Sequence, residues 1–230
     1  DRGNTFKVIL ASIKEAGYPY IYCDVFNTNN FGLAQTRNRV YIFASSVELP
    51  DNFRFDERSI KASFDKMSGE TSLMMQESVL DILEKQVDSK YYLSDTLKPT
   101  ILADGSKNFR SRSEINKLIA RPLTATMVKM HRACQDNYFS EEFINSPDPV
   151  RYLDQTFSKE ELARHHIRKL TPSEAFALQG FPRDFIHKAQ QAGVSNHQLY
   201  KQAGNAVSVN TVYAILHYLF ITQNLQQYVL

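Results

Sequence analysis

Phe31-Gly32-Leu33-Ala34-Gln35-Thr36-Arg37-Asn38-Arg39-Val40-Tyr41-Ile42 is the stretch around which the rest of the chain can be ordered. If it enters a strand extended, Gln35, Arg37 and Arg39 stand at every second position and project to one side. Two guanidiniums then share a face, which costs free energy unless an acceptor or anion lies between them, because arginine does not shed its proton. Spacing alone also permits a plainer reading, a sheet edge whose arginines extend into solvent. Upstream, residues 20–26 form a second run rich in Tyr, Val, Ile and Phe, separated from residues 39–44 by the turn-prone Asn27-Thr28-Asn29-Asn30-Phe31-Gly32. Both runs predict strands. Ahead of them Phe6, Ile9, Leu10 and Ile13 recur at helical spacing behind Asn4-Thr5, either of which could cap, with Gly17 as a stop. A helix followed by near-continuous apolar runs suits the end of an α/β sheet covered on both faces.

Downstream the pattern weakens over residues 48–64, where Pro50, Asp51 and Asn52 leave the sheet. Residues 78–87 are helix-like through Val79, Leu80, Ile82 and Leu83, and Tyr91-Tyr92-Leu93-Ser94 is a candidate strand start. Order returns at Thr171-Pro172-Ser173-Glu174, which combines a capping hydroxyl, proline at the first helical position and glutamate three residues after the cap, with Gly180 as a stop. Ser195 and Gln198 predict a further cap for a short helix ending at Gly204, and Val209, Val212, Leu216 and Leu219 an apolar stripe on a last helix.

With 43% apolar and 23% charged residues in 230, the chain has enough apolar matter for one large domain or two small ones and reads as a soluble globular protein. No apolar run approaches the ~20 residues of a membrane helix and the first residues do not resemble a signal peptide, so an intracellular, cytoplasmic location is expected. Cys23 and Cys134 are too few for a disulfide framework or a zinc set, so two reduced thiols and no metal are expected, Cys23 as a core thiol and Cys134 as structural. The chain opens on Asp1 with a helix at once, and a preceding portion is therefore expected. Net charge is only +2, but it is unevenly distributed. Residues 98–132 hold Lys98, Lys107, Arg110, Arg112, Lys117, Arg121, Lys129 and Arg132 against Asp104 and Glu114, a basic excess that could serve phosphates. Residues 136–161 reverse the balance.

Gly-x-x-Gln-x-Arg-x-Arg ahead of an apolar strand resembles the eighth motif of the cytosine-5 DNA methyltransferases. Other matches follow in the family's order. Asp1-Arg2-Gly3-Asn4-Thr5-Phe6 is similar to the start of the seventh motif, and Asp81-Ile82-Leu83-Glu84 with Tyr91-Tyr92-Leu93-Ser94 to the lead-in to its target-recognition region. Arg168-Lys169-Leu170-Thr171-Pro172-Ser173-Glu174, continued by Leu178-Gln179-Gly180-Phe181-Pro182, resembles the ninth motif, and Tyr200-Lys201-Gln202-Ala203-Gly204-Asn205-Ala206-Val207 the tenth. The resemblance covers both ends of the chain.

The family's reaction, carried over as what the resemblance implies, is attack of a cysteine thiolate on the sixth ring carbon of a cytosine flipped from the duplex, followed by transfer of a methyl group from S-adenosylmethionine to the fifth carbon. Arg39 matches the arginine that donates to the base carbonyl, Arg37 its partner, and Gln35 the glutamine that supports the loop; these are the expected catalytic residues. Asn205, Ala206 and Val207 match positions touching the cofactor, with Ala206 replacing a more common serine. Lys107, Arg110 and Arg112 are the expected DNA contacts of a recognition region. Ala120-Arg121-Pro122-Leu123-Thr124-Ala125 resembles the element beside the flipped nucleotide; Pro122 replaces a threonine, which leaves Arg121, Thr124 or Thr126 for a phosphate contact.

The family's Pro-Cys-Gln, Glu-Asn-Val and glycine-rich cofactor motifs do not occur in these 230 residues. The expected chain is therefore the carboxyl-terminal half of such an enzyme, from a bacterial restriction-modification system: inactive alone, and completed by an amino-terminal half carrying the thiolate, in the same or a separate polypeptide. The expected fold is α/β, with the end of a Rossmann-like methyltransferase sheet and a helix over residues 1–47, a connecting segment over 48–95, a small, irregular, mainly-β target-recognition domain over 96–165, and a helical return over 166–230. The other function class is a non-catalytic DNA-binding module derived from such an enzyme; Pro-Cys-Gln upstream or in a neighbouring reading frame separates the two. A nucleic-acid protein unrelated to methylation leaves the capped helix at Thr171 and the Gly204-Asn205 turn without a reason.

Overall fold

A computed structural model describes the chain except Arg2, Ser68, Glu70, Ser106, Lys107, Phe109, Val229 and Leu230 and the side chains of Gln227 and Tyr228. Helix α1 spans Asn4–Glu15. Neither Asn4 nor Thr5 caps it: Gly3, left-handed at φ 81°, takes the cap position, and the Asp1 carboxylate accepts hydrogen bonds from the Gly3 and Thr5 amides at 2.9 and 3.0 Å.

Strands β1 (Tyr20–Asn27) and β2 (Asn38–Ser45) form an antiparallel hairpin, with Tyr20 opposite Ser45 and Asn27 opposite Asn38. Because side chains alternate, Tyr22, Phe26, Tyr41 and Phe43 turn into an aromatic core with Phe31, Phe53, Phe55 and Phe64. Cys23, Val25 and Val40 face the other way and are exposed. The expectation of a sheet covered on both faces is corrected accordingly: among the described residues this sheet has two strands, one covered face and one open face. Cys23 is likewise not a core thiol, since its place in the alternation puts it on the open side. In helix α2 (Glu57–Met67) the buried Ile60, Phe64 and Met67 recur at helical spacing and join the same core, although the sequence pattern here was weak.

The helix expected over residues 78–87 contracts to one 3-10 turn, Val79–Asp81, closed by reciprocal Ser78 and Asp81 capping bonds. Tyr91 ends another such turn, Ser89–Tyr91, and the expected strand reduces to a single bridge between Tyr92 and Arg168. Residues 96–165 are not mainly β. Among the described residues they hold α3 (Lys98–Leu102), α4 (Glu141–Ile144), α5 (Pro149–Tyr152), α6 (Lys159–Leu162) and one three-residue strand, β3 (Tyr138–Ser140), which pairs with β4 (Ile167–Lys169). The cause is local: the side chains of Ser140, Asp148 and Ser158 each accept an amide hydrogen bond three residues on and start a helical turn.

The return is helical: α7 (Pro172–Ala177), α8 (Arg183–Gln191), α9 (Asn196–Asn205) and α10 (Val209–His217), the last continuing as a wider π turn over Tyr218–Thr222. Thr171 and Glu174 form the capping box at the start of α7, and the Ser195 hydroxyl accepts from the Gln198 amide at the start of α9. The stripe expected on the last helix is rotated. Ala214, Ile215, Tyr218 and Leu219 fill the aromatic core, whereas Tyr213, Leu216 (48% exposed), Phe220 and Ile221 face outward. Apolar side chains on both sides of one helix are the pattern of an element packed between two bodies.

A second core joins Val79, Ile82 and Leu83 to Leu123, Phe139, Phe143 and the apolar faces of α7, α8 and α9. A third, smaller one lies under Leu93, Ile101, Leu102, Tyr138 and Ile167. Beside the second core Arg168 and Glu174, both almost fully buried, meet as a bidentate pair at 2.7 and 2.8 Å. The Glu174 carboxylate also accepts from the amides of Glu84 and Thr171, each at 2.7 Å, and Arg168 donates to the Glu84 carbonyl at 2.9 Å. This network ties α7, β4 and the segment after residue 81 into one unit. Among the described residues no helix is long and apolar enough to cross a membrane.

Candidate active site

Residues 31–37, 73–79 and 203–214 each carry the chain between the aromatic core and the second core, and Gln35, Arg37, Asn205, Ala206 and Val207 lie on the first and last of these segments. Phe31 belongs to one core and Ala34 to the other. Gly32 is left-handed at φ 72°, a backbone conformation that strains any residue with a Cβ. Asn210, fully buried, donates through Nδ2 to the carbonyls of Phe31 and Met74, both at 2.9 Å. Nothing singled it out in the sequence; the available signal was an amide on an otherwise apolar helix.

Gln35 is fully buried: its Nε2 donates to the Leu178 carbonyl and its Oε1 accepts from the Leu123 amide, both at 3.0 Å. Around it the Ala120 amide donates to Ala34 and the Thr36 amide to Ala120, which docks residues 120–123 onto this crossing. Arg37 is 2% exposed. Its Nη1 donates to the Leu123 carbonyl at 2.6 Å and its Nη2 to the carbonyls of Gly204 and Ala206 at 2.7 and 3.2 Å. Burial first, and the neighbouring charge of Arg39 second, pull its pKa down to about 10, which leaves it charged at neutral pH. Its Nε is buried without a partner among the described residues.

Arg39, by contrast, is exposed, sits opposite Phe26 in the hairpin, and donates from Nη1 to the Asn38 carbonyl at 2.9 Å. The expectation that Arg37 and Arg39 share one face is corrected. The strand begins only at Asn38, because the Asn27 side chain accepts from the Arg37 amide and the Arg37 carbonyl accepts from the Thr28 amide, so the two-residue period does not reach back to Arg37. Backbone carbonyls, not an anion, compensate the buried guanidinium.

Helix α9 ends at Asn205, Ala206 turns extended at φ −62° and ψ 155°, and Ser208 caps α10. The Gly204 and Ala206 carbonyls face Arg37, while Asn205 and Val207 are exposed and Ala206 is half-buried. Gly204 lies directly against residues 124 and 125: a Cβ would sit 2.2 Å from the Thr124 carbonyl carbon and 2.3 Å from the Ala125 nitrogen.

Lys107 falls outside the described residues. Arg110 and Arg112 are exposed and, among the described residues, in no ion pair; Arg112 borders an open cavity of about 260 Å³ with Asn116, Tyr152, Thr156 and Phe157. Arg121 donates from Nε to the Ala133 carbonyl at 3.1 Å, and its Nη2 lies 3.7 Å from the Glu114 carboxylate. The Thr124 and Thr126 hydroxyls are 3.4 Å apart, and Thr126 also meets His131 Nε2 at 3.1 Å. Within this stretch Lys98 pairs with Asp95 and Lys117 with Glu114, while Asp104 pairs with Lys159. Lys169, missed in the sequence, is half-buried with its ammonium 5.5 Å from the centre of the Tyr200 ring.

Residues 1–220 match the family described as C-5 cytosine-specific DNA methylase. The chain belongs to that family. Among similar proteins, Type II methyltransferase M1.ScrFI of Lactococcus lactis subsp. cremoris is 34% identical over 215 residues, which is 94% of this chain and 46% of that protein. Type II methyltransferase M.SsoII of Shigella sonnei is 31% identical over 94% of this chain and 48% of its own length. The chain thus spans about half the length of these relatives. Among solved structures, the Entamoeba histolytica methyltransferase EhMeth superposes with a TM-score of 0.65 at 18% identity, covering 94% of this chain and 58% of that one. The S. pombe Dnmt2 methyltransferase gives 0.65 at 16% identity, covering 96% of this chain and 64% of that one. At such identities the likeness speaks for the fold, an α/β methyltransferase fold.

Proposed function

We propose that this member of the family is the carboxyl-terminal portion of a type II DNA (cytosine-5-)-methyltransferase, and that its crossing segments complete an active site whose thiolate comes from an amino-terminal half. One observation carries the reading. The Arg37 guanidinium, buried two residues before the exposed Arg39, holds the carbonyls of Leu123, Gly204 and Ala206, so the start of the Arg39 strand is fixed beside the turn that exposes Asn205 and Val207. The open sheet face at Val25 and Val40, the largely exposed helix α1 and the outward side of α10 support it, because apolar surface of this extent calls for a covering body.

In this account the duplex lies along residues 96–165, the target-recognition part, with Arg110, Arg112, Thr124 and Thr126 toward phosphates and base edges, and the target cytosine leaves the stack because the duplex hides its ring face. Thiolate attack on the sixth ring carbon pushes negative charge toward the base carbonyl oxygen, where Arg39 donates. Asn205, able to donate and accept, beside the apolar Val207, suits a nucleoside with a polar edge and an apolar face, so S-adenosylmethionine fits the turn. When bound it supplies the methyl group.

The test is complementation. Purified chain with DNA and S-adenosylmethionine is expected to transfer no methyl groups, and addition of the matching amino-terminal half to restore transfer to cytosine. Robust methylation by the chain alone, or none after addition, would contradict the proposal.

A further inference from the structure

We propose that Arg37 is a positioning residue that couples the DNA-facing segment, residues 123–126, to the cofactor-facing turn, residues 204–207, so that duplex and cofactor bind cooperatively through one guanidinium. The inference rests on the proposed reading of those two segments and adds a link between them.

The geometry leaves little slack. The Leu123 peptide is held at both ends, its amide by Gln35 at 3.0 Å and its carbonyl by Arg37 at 2.6 Å. The other arm of the same guanidinium holds the Gly204 carbonyl at 2.7 Å and that of Ala206 at 3.2 Å. A guanidinium is a rigid plane with fixed donor spacing, so both arms are satisfied only at one separation of the two segments. The segments also touch without an intervening side chain, since Gly204 packs on the backbone of Thr124 and Ala125. Close-packed interiors transmit displacement. A ligand that orders either segment therefore removes freedom from the other, and the second ligand meets a site already ordered. Gln179 extends the link, with its Nε2 on the Ala203 carbonyl at 3.0 Å.

Reciprocity makes this measurable: duplex must tighten cofactor binding by the same factor as cofactor tightens duplex binding. The experiment uses the complete methyltransferase, with its natural polypeptide or polypeptides, S-adenosylhomocysteine as the cofactor probe, and a duplex carrying the mapped target sequence. Calorimetry gives the S-adenosylhomocysteine affinity with and without duplex. The wild type is expected to show a ratio of at least about fivefold, the lower range of measured couplings. Arg37→Lys keeps the charge but not the fork, and is expected to bring the ratio to within about twofold of unity. A purely structural role would lower the melting temperature and the active fraction but leave the ratio unchanged, which would overturn the coupling. Should Arg37→Lys not fold, hydrogen exchange on the wild type decides: S-adenosylhomocysteine without DNA should slow exchange of the amides at residues 124–126, and no change there would overturn the proposal. If both ligands bind but independently, the coupling fails while the methyltransferase reading stands. If S-adenosylhomocysteine does not bind at all, the reading beneath it fails as well.

Discussion

Replacing Arg39 by alanine in the complete methyltransferase is expected to slow methyl transfer by about a hundredfold or more, the scale of losing one donor to developing negative charge. The protein should unfold as before. Arg39 is exposed and its one hydrogen bond among the described residues is to the neighbouring Asn38 carbonyl, so the stability change should stay within about 0.5 kcal/mol. This separation makes the result interpretable, because the same experiment on Arg37 would confound chemistry with a buried guanidinium that holds three carbonyls. Single-turnover methylation beside a thermal melt gives both numbers. An unchanged rate would remove Arg39 from the chemistry.

The second large effect is on stability. Glu174→Ala would leave Arg168 charged and buried without its carboxylate and would strip an acceptor from the Glu84 and Thr171 amides. Breaking one side of such a pair costs about 3–5 kcal/mol, a large part of the ~5–15 kcal/mol that holds a domain. Urea unfolding of the complete protein should show that loss. Arg168→Met with Glu174→Leu, which removes both charges, should recover part of it. A loss below about 1 kcal/mol for Glu174→Ala would mean that water reaches Arg168 and that the pair is not the closed network described.

The parts of the fold that announce themselves locally were legible. The Thr171 capping box and the Ser195 cap need only residues three apart, and the two hairpin strands need only β-branched and aromatic runs with a turn between them. Helix α8 was not legible, because Phe185, Ile186 and Ala189 are the whole of its apolar side and nine residues are too short a run to announce a period. The last helix misled by having apolar side chains on two faces, so that the expected stripe mixes the buried Leu219 with the exposed Leu216 and the half-buried Val209 and Val212. The motif at Gln35, Arg37 and Arg39 was found in the sequence, but its geometry was not. Which arginine goes inward depends on Asn27 and Thr28 fixing the strand start, and on carbonyls contributed by residues 123, 204 and 206, which lie far along the chain. Spacing cannot show acceptors that only the tertiary fold delivers. The split of Arg37 from Arg39 also divides the motif: one guanidinium is buried on carbonyls of residues 123, 204 and 206, and the other is exposed.

The most direct test is the structure of the complete enzyme on a duplex whose target cytosine carries fluorine in place of the C5 hydrogen, which blocks the proton loss that ends the reaction and holds the base in the site. The account predicts an Arg39 nitrogen within about 2.6–3.2 Å of the base carbonyl oxygen, with Arg37 still buried against residues 123 and 204. Arg39 turned away from an extruded cytosine, or a cytosine left stacked in the duplex, would contradict it.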